Sequence, residues 1–315
     1  MSSKTVKFLF IGALALFTLF AALKAGKIVS KKFAKKPLAL DSAKFKTALS
    51  FVTIEKHGAK PIKLAKENDG WVIREPEIFA CDKDTIEGIV DDLANSNIEH
   101  KISSRKESFS KFGLTDKKAI KVTADDAQKK HLLQILIGDQ ITGSADEVYM
   151  RYPDKSRSYI IKGIRRFTFD QETKYYKDRL IAKIANNDVS QIIISLPGKQ
   201  AVKMIKDGED WKIKDKAVLK DKVLSILSTL EVFEATDFPG SIDLEPGINA
   251  LGLGDRPETA LVSVTAKGAQ TILRIGKKKQ SLYYVKLDNK PTVWLAAQWK
   301  IKPLLIKEKD LLPKD

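Results

Sequence analysis

Residues 70–94 read GWVIREPEIFACDKDTIEGIVDDLA, and residues 210–230 read DWKIKDKAVLKDKVLSILSTL. In each stretch a tryptophan-centred strand precedes an apolar stripe at helical spacing. Ile86, Ile89, Val90 and Leu93 form the first stripe, and Val223, Leu224, Ile226, Leu227 and Leu230 the second. The helices are expected over Asp84–Ala94 and Lys220–Leu230, with Asp84 as the N-cap of the first. The match extends outward at nearly constant spacing. Phe112-Gly113-Leu114-Thr115-Asp116 answers Leu251-Gly252-Leu253-Gly254-Asp255, and Leu133–Gly138 answers Ile272–Gly276. Val148-Tyr149-Met150 answers Tyr283-Tyr284-Val285. Four ordered correspondences about 140 residues apart define a duplication.

Within each copy the pattern is rich in strands. Thr53–Lys56 and Pro61–Leu64 flank His57-Gly58 as a hairpin, and Trp71–Ile73 adds a strand. Four more are expected near 119–123, 132–137, 147–151 and 159–161, and in the second copy near 260–265, 270–275, 282–287 and 292–295. The fold class is therefore α+β: an N-terminal transmembrane helix, then two tandem repeats of a mostly antiparallel sheet with one covering helix each. The expected boundaries are an anchor over 1–25, a Lys-rich linker over 26–46, repeat units over 47–187 and 188–307, and a charged tail over 308–315.

The anchor reading rests on FLFIGALALFTLFAAL, residues 8–23, which carry no charge between Lys7 and Lys24. Its apolar side chains are Phe8, Leu9, Phe10, Ile11, Leu14, Leu16, Phe17, Leu19, Phe20 and Leu23. As a helix it covers about 24 Å, short of a ~30 Å hydrocarbon core, a deficit that snorkelling lysines and local thinning offset. A cleaved signal peptide is the alternative, but Leu23-Lys24 before Ala25 is not a small-x-small cleavage pattern. The six lysines from Lys24 to Lys36 favour a cytoplasmic body by the positive-inside rule, whereas the position of the segment is that of a signal-anchor for an outward-facing one.

The 315-residue chain carries 43% hydrophobic and 30% charged residues, which excludes a disordered, collagenous or polytopic membrane protein. Of the net +16, +9 lies in the first 46 residues, so the body reads as a mixed solvated surface without a nucleic-acid face. One cysteine, Cys81, excludes an internal disulfide framework and thiol-rich metal sites. His57, His100 and His131 lie more than 30 residues apart and make no ligand pair. No spacing of carboxylates, serines or glycines suggests catalysis or phosphate binding, so no catalytic, cofactor or metal residue is assigned and a non-enzyme is expected. Trp71 and Trp211 read as core anchors, with ligand stacking as the alternative. Tyr283, Tyr284, Trp294 and Trp299 read as core or as an exposed partner-binding stripe.

The tryptophan strand and helix, the Phe/Leu-Gly-Leu turn, the Ile-Gly strand end, the tyrosine strand and Tyr176-Lys177-Asp178-Arg179-Leu180, behind an apolar N-terminal segment, resemble the bacterial family called domain of unknown function 4340 (DUF4340). That resemblance covers about residues 50–300. It implies a protein of the cytoplasmic membrane with a periplasmic or extracellular body, and an accessory role beside a gliding-motility-type ABC transporter. It brings no catalytic residues. Two functions follow as expectations: a non-enzymatic module that binds an envelope protein, and, as the alternative, a module that binds a small ligand or acidic polymer.

Overall fold

The computed structural model describes residues 36–37, 41–68 and 70–313. The expected anchor, Phe8 to Leu23, lies outside them; among the described residues no helix is long and apolar enough to cross a membrane. The chain forms two compact units that divide between Lys177 and Asp178.

The first unit runs β1 (Lys36–Pro37), α1 (Ser42–Ala48), β2 (Leu49–Glu55), β3 (Ile62–Glu67), β4 (Gly70–Glu75), β5 (Phe79–Ala80), α2 (Lys83–Asn95), β6 (Asn97–Ser103), β7 (Ile120–Asp126), β8 (His131–Gln140), β9 (Glu147–Arg151), β10 (Ser158–Lys162) and a short α3 (Arg166–Phe169). Its ten strands form one sheet in the order β1-β6-β10-β9-β8-β7-β2-β3-β4-β5, antiparallel at every pairing. Alternate residues of the strands, among them Ile54, Leu64, Ile73, Val122, Ile135 and Met150, pack in one core with Ile86, Ile89 and Leu93 of α2. Each such fully buried aliphatic side chain contributes about 1.5–3 kcal/mol.

The second unit runs β11 (Leu180–Ala182), β12 (Val189–Ser195), β13 (Val202–Asp207), β14 (Asp210–Ile213), β15 (Lys216–Ala217), α4 (Lys220–Glu231), β16 (Phe233–Glu234), α5 (Ser241–Leu244), α6 (Gly247–Ala250), β17 (Ala260–Ala266), β18 (Ala269–Lys279), β19 (Leu282–Leu287), β20 (Val293–Ala297) and a short α7 (Gln298–Ile301). Its eight-stranded sheet has the order β15-β14-β13-β12-β17-β18-β19-β20. Read from the other edge, the first sheet gives β5-β4-β3-β2-β7-β8-β9-β10, the same order element for element. The duplication therefore holds at the level of topology. It holds in detail as well: Cys81 N donates to Trp71 O and Asp82 N to Tyr176 O, while Val218 N donates to Trp211 O and Leu219 N to Leu311 O.

Several expectations need correction. The cap of α2 is Asp82, whose carboxylate accepts from Thr85 N at 2.8 Å, and not Asp84, which lies inside the helix. Leu224 is 55% exposed and does not belong to the buried stripe. Residues 42–46 of the expected linker are helical, because Phe45 alone buries itself in the core and Lys46 pairs with Asp91; one apolar residue makes no periodic signal. Strand β6 was not expected from its polar sequence NIEHKIS; it pairs along β10. Residues 178–187 fasten to the second unit, through β11 on β16 and Ala235 N donating to Arg179 O. The expected tail is not free, since Leu311 is fully buried and closes the second unit as Tyr176 closes the first.

The repeated Gly-Leu turns are seated on a strand glycine. Gly113 and Gly252 adopt left-handed φ of 65° and 73°, a region glycine enters without steric cost. A Cβ at Gly138 would collide with the carbonyl oxygen of Phe112, and one at Gly276 with that of Leu251. Gly276→Ala should therefore lower stability by about 1–3 kcal/mol, the usual range for overpacking, and Gly138→Ala should do the same. Urea unfolding followed by circular dichroism checks this; an unchanged midpoint would show that the turns are not held by these contacts.

Candidate functional site

The sequence motifs shared by the copies hold the fold together. Arg151, on β9, donates to Leu114 O at 3.0 Å and to Asp116 at 2.6 Å, and its side chain is buried. In the second unit Arg274, on β18, reaches Gly254 O at 3.1 Å and Asp255 at 2.6 Å. Leu136 pairs with Arg151 across the β8–β9 ladder, so the arginine that ties the turn comes from neighbouring strands in the two copies. Asp178 accepts from Leu180 N and Arg179 donates to Thr236 O, so both act as local ties.

The aromatic residues of the second unit do not form one stripe. Tyr284 and Trp294 are buried, Tyr283 is half-buried, and Trp299 is 72% exposed. Residues 282, 284 and 295 contribute to a small cluster with Leu251 and Leu253, beneath the Gly-Leu turn. Only Trp299 is presented fully to solvent among the four.

One concavity lies in the first unit. It is a cleft of about 610 Å³ with an apolar wall of Trp71, Cys81 and Val90. Lys46, Lys66 and Lys83 stand at its rim with Glu87 and Asp91. Lys46 is paired with Asp91 at 2.5 Å and Lys83 with Glu87 at 3.7 Å, which among the described residues of the cleft leaves Lys66 as the excess positive charge. Trp71 is half-buried and edges the cleft, whereas Trp211 is buried, so equivalent tryptophans have separate fates. A smaller cleft of about 380 Å³ in the second unit is lined by Leu196, Lys199, Gln200, Lys307 and Lys309.

Burial, reinforced by the neighbouring Asp82 carboxylate, pushes the Cys81 thiol up to about 12 from its ordinary 9.0. The cleft therefore presents a neutral thiol and not a nucleophile. Among the described residues no group of three or more His, Cys, Asp or Glu side chains is placed to hold a metal ion.

Two outward aromatics were not singled out as a pair from sequence. Phe167 is 66% exposed and Trp299 72%, each the second residue of the short helix that follows the last strand of its sheet, α3 and α7. Phe169 and Ile301, two residues on, are fully buried in both. No sequence signal separates the outward position from the inward one, since both members of each i, i+2 pair are large and apolar and the segments are too short to show periodicity.

These features define a class: a tandemly duplicated α+β sheet protein in which the shared motifs build turns and the differences between copies lie at the surface. The chain belongs to the family described as Domain of unknown function (DUF4340), whose model matches residues 71–249, more than half of the chain. No curated protein and no solved structure matches it.

The thiol environment is testable. At pH 8 alkylation of Cys81 should run about 50-fold slower in the folded chain than in urea, since the loss of thiolate outweighs its greater nucleophilicity. The rate should climb with pH toward 12. Because the unfolded thiol ionises first, stability should fall as pH rises from 9 toward 12. A folded rate equal to the unfolded one would contradict the burial.

Proposed function

We propose that this protein is a non-enzymatic binding module of the bacterial envelope, tethered by Phe8–Leu23 in the cytoplasmic membrane, whose outward-facing body docks on a protein partner. The single observation that carries the docking is the preorganised aromatic on the first unit. Phe167 stacks edge-to-face on Tyr175 at 5.8 Å, and Tyr175 stacks edge-to-face on the buried Tyr176 at 5.3 Å. Tyr176 is itself held by its hydroxyl donating to Thr168 O at 2.8 Å. A large aromatic held 66% exposed by a rigid ring chain has little entropy left to lose, which is the property of an interface anchor. Ile78, 72% exposed on the strand connection whose Glu77 pairs with Lys177, is another outward apolar side chain of the first unit. The family resemblance supports an ABC-transporter assembly as the setting for that partner.

A second reading is favoured by the Trp71 cleft: an indole wall with Lys66 at its rim, which has no ion-pair partner among the described residues, suits an acidic sugar or a comparable anionic ligand with an apolar face.

Two experiments test these readings. A photo-crosslinking residue at Phe167 of the full chain in cells should give one discrete protein adduct, and the same residue at Lys129, in the β7–β8 turn, should give none; equal labelling at both sites would remove the docking reading. A uronic-acid oligosaccharide should change the tryptophan emission of the native chain and leave that of Trp71→Phe unchanged, whereas an identical response in both would dismiss the cleft.

A further inference from the structure

One end of the second unit combines exposed aliphatic side chains, an exposed tryptophan and a lysine run. The segment 240–252 is clamped onto the far half of β18. Lys279 Nζ lies 2.6 Å from both carboxylate oxygens of Asp243, and the same carboxylate accepts from Gly240 N at 2.8 Å and from Tyr284 Oη at 3.4 Å. Lys277 N donates to Leu251 O at 2.8 Å. From this base Ile242 stands 78% exposed, Leu244 42% and Ile248 46%. On the other side of the β18–β19 turn, Gln298 N donates to Ser281 O at 2.9 Å and seats α7, which carries Trp299. Lys277 and Lys278 lie exposed on the strand that both flanks share.

The first unit supplies an internal comparison. Its equivalent of 240–252 is Lys106–Phe112, KESFSKF, in which no large apolar side chain is strongly exposed. The strand positions that answer Lys277, Lys278 and Lys279 are Asp139, Gln140 and Ile141. The fold therefore does not require either the aliphatic trio or the lysines at this place; the second copy has them on the same scaffold.

We infer that this end of the second unit docks on an anionic membrane surface. These side chains, exposed on the two short helices α5 and α6, form a tip that a fluid surface accommodates without a preformed groove. Aliphatic groups at such a tip enter the headgroup and acyl boundary, a tryptophan sits at headgroup level, and lysines meet lipid phosphates. The charge at the base is consistent with this. Lys279 neutralises Asp243, leaving Lys277, Lys278 and the Lys300 that lies over Trp299 against Glu245 and Asp237. The inference stands on the second unit alone and does not require the N-terminal tether.

The test uses the full chain with Cys81→Ser and Ser241→Cys, carrying a polarity-sensitive fluorophore at position 241 and mixed with vesicles. In vesicles of about 30% phosphatidylglycerol the label should shift to the blue and be quenched by nitroxide-labelled lipid, and in pure phosphatidylcholine it should not. Lys277→Gln with Lys278→Gln should weaken docking by about 30-fold, the weight of two lysines near such a surface. Ile242→Ser, Leu244→Ser and Ile248→Ser together should abolish it. Cosedimentation with neutral vesicles reads the tether, and shielding at position 241 reads the tip, so the two fail separately. An aqueous label in every vesicle, or shielding indifferent to lipid charge, would overturn the inference. Shielding without lipid would overturn it in favour of self-association. Should the new cysteine disturb folding, brominated-lipid quenching of tryptophan emission in the native chain, compared with Trp299→Phe, gives the same decision.

Discussion

The contact on which each unit depends is the one between a turn carbonyl and a strand with no side chain in the way. Phe112 O lies over Gly138, and Leu251 O over Gly276. The chain leaves the covering helix on one side of the sheet and must return to start β7 or β17 beside β2 or β12. The left-handed glycine of the turn and the bare glycine of the strand allow that return to lie flat against the sheet. Leu114 and Leu253 can then be buried, and the turn aspartate comes within reach of Arg151 or Arg274. The strand order of half the sheet follows from where this turn is fixed.

With the frame fixed twice, the two copies differ at its margins. In the first, β6 runs along β10 and extends the sheet; in the second, β16 pairs with β11, and the β20 edge is met by Asp237 through paired bonds with Leu295. Trp71 edges a cleft while Trp211 is buried. A polar helical turn over 106–112 corresponds to the aliphatic tip over 241–250. Shared residues are mostly those that a turn, a core or a ladder requires, and the surfaces have been free to take separate roles.

The duplication was legible because its markers are positions where physics leaves few choices: a glycine under a carbonyl, a tryptophan on a half-buried strand, an aliphatic stripe at helical spacing. Strand positions followed from alternation to within a few residues. What escaped were elements with little periodic content. Strand β6 has only Ile98 and Ile102 as apolar residues, α1 buries only Phe45, and Leu311 is one buried leucine in a charged end. Each is held by tertiary hydrogen bonds or by one buried side chain, which leave no pattern in the chain.

The candidate surfaces were less legible still. Trp299 was identified within a group of four aromatics, but whether a tryptophan faces core or solvent depends on what packs over its strand, and Trp294 and Trp299 went opposite ways. Phe167, Ile242 and Ile248 look in sequence like any other apolar residues; only the clamp of Asp243 on Lys279 and the ring chain through Tyr175 and Tyr176 turn them outward. By itself the sequence determined the repeat, the α+β class and the motifs of the turns, because those follow from local spacing and backbone sterics. The tertiary structure alone decided which aromatics and aliphatics remain in water, because exposure depends on contacts between residues far apart in the chain.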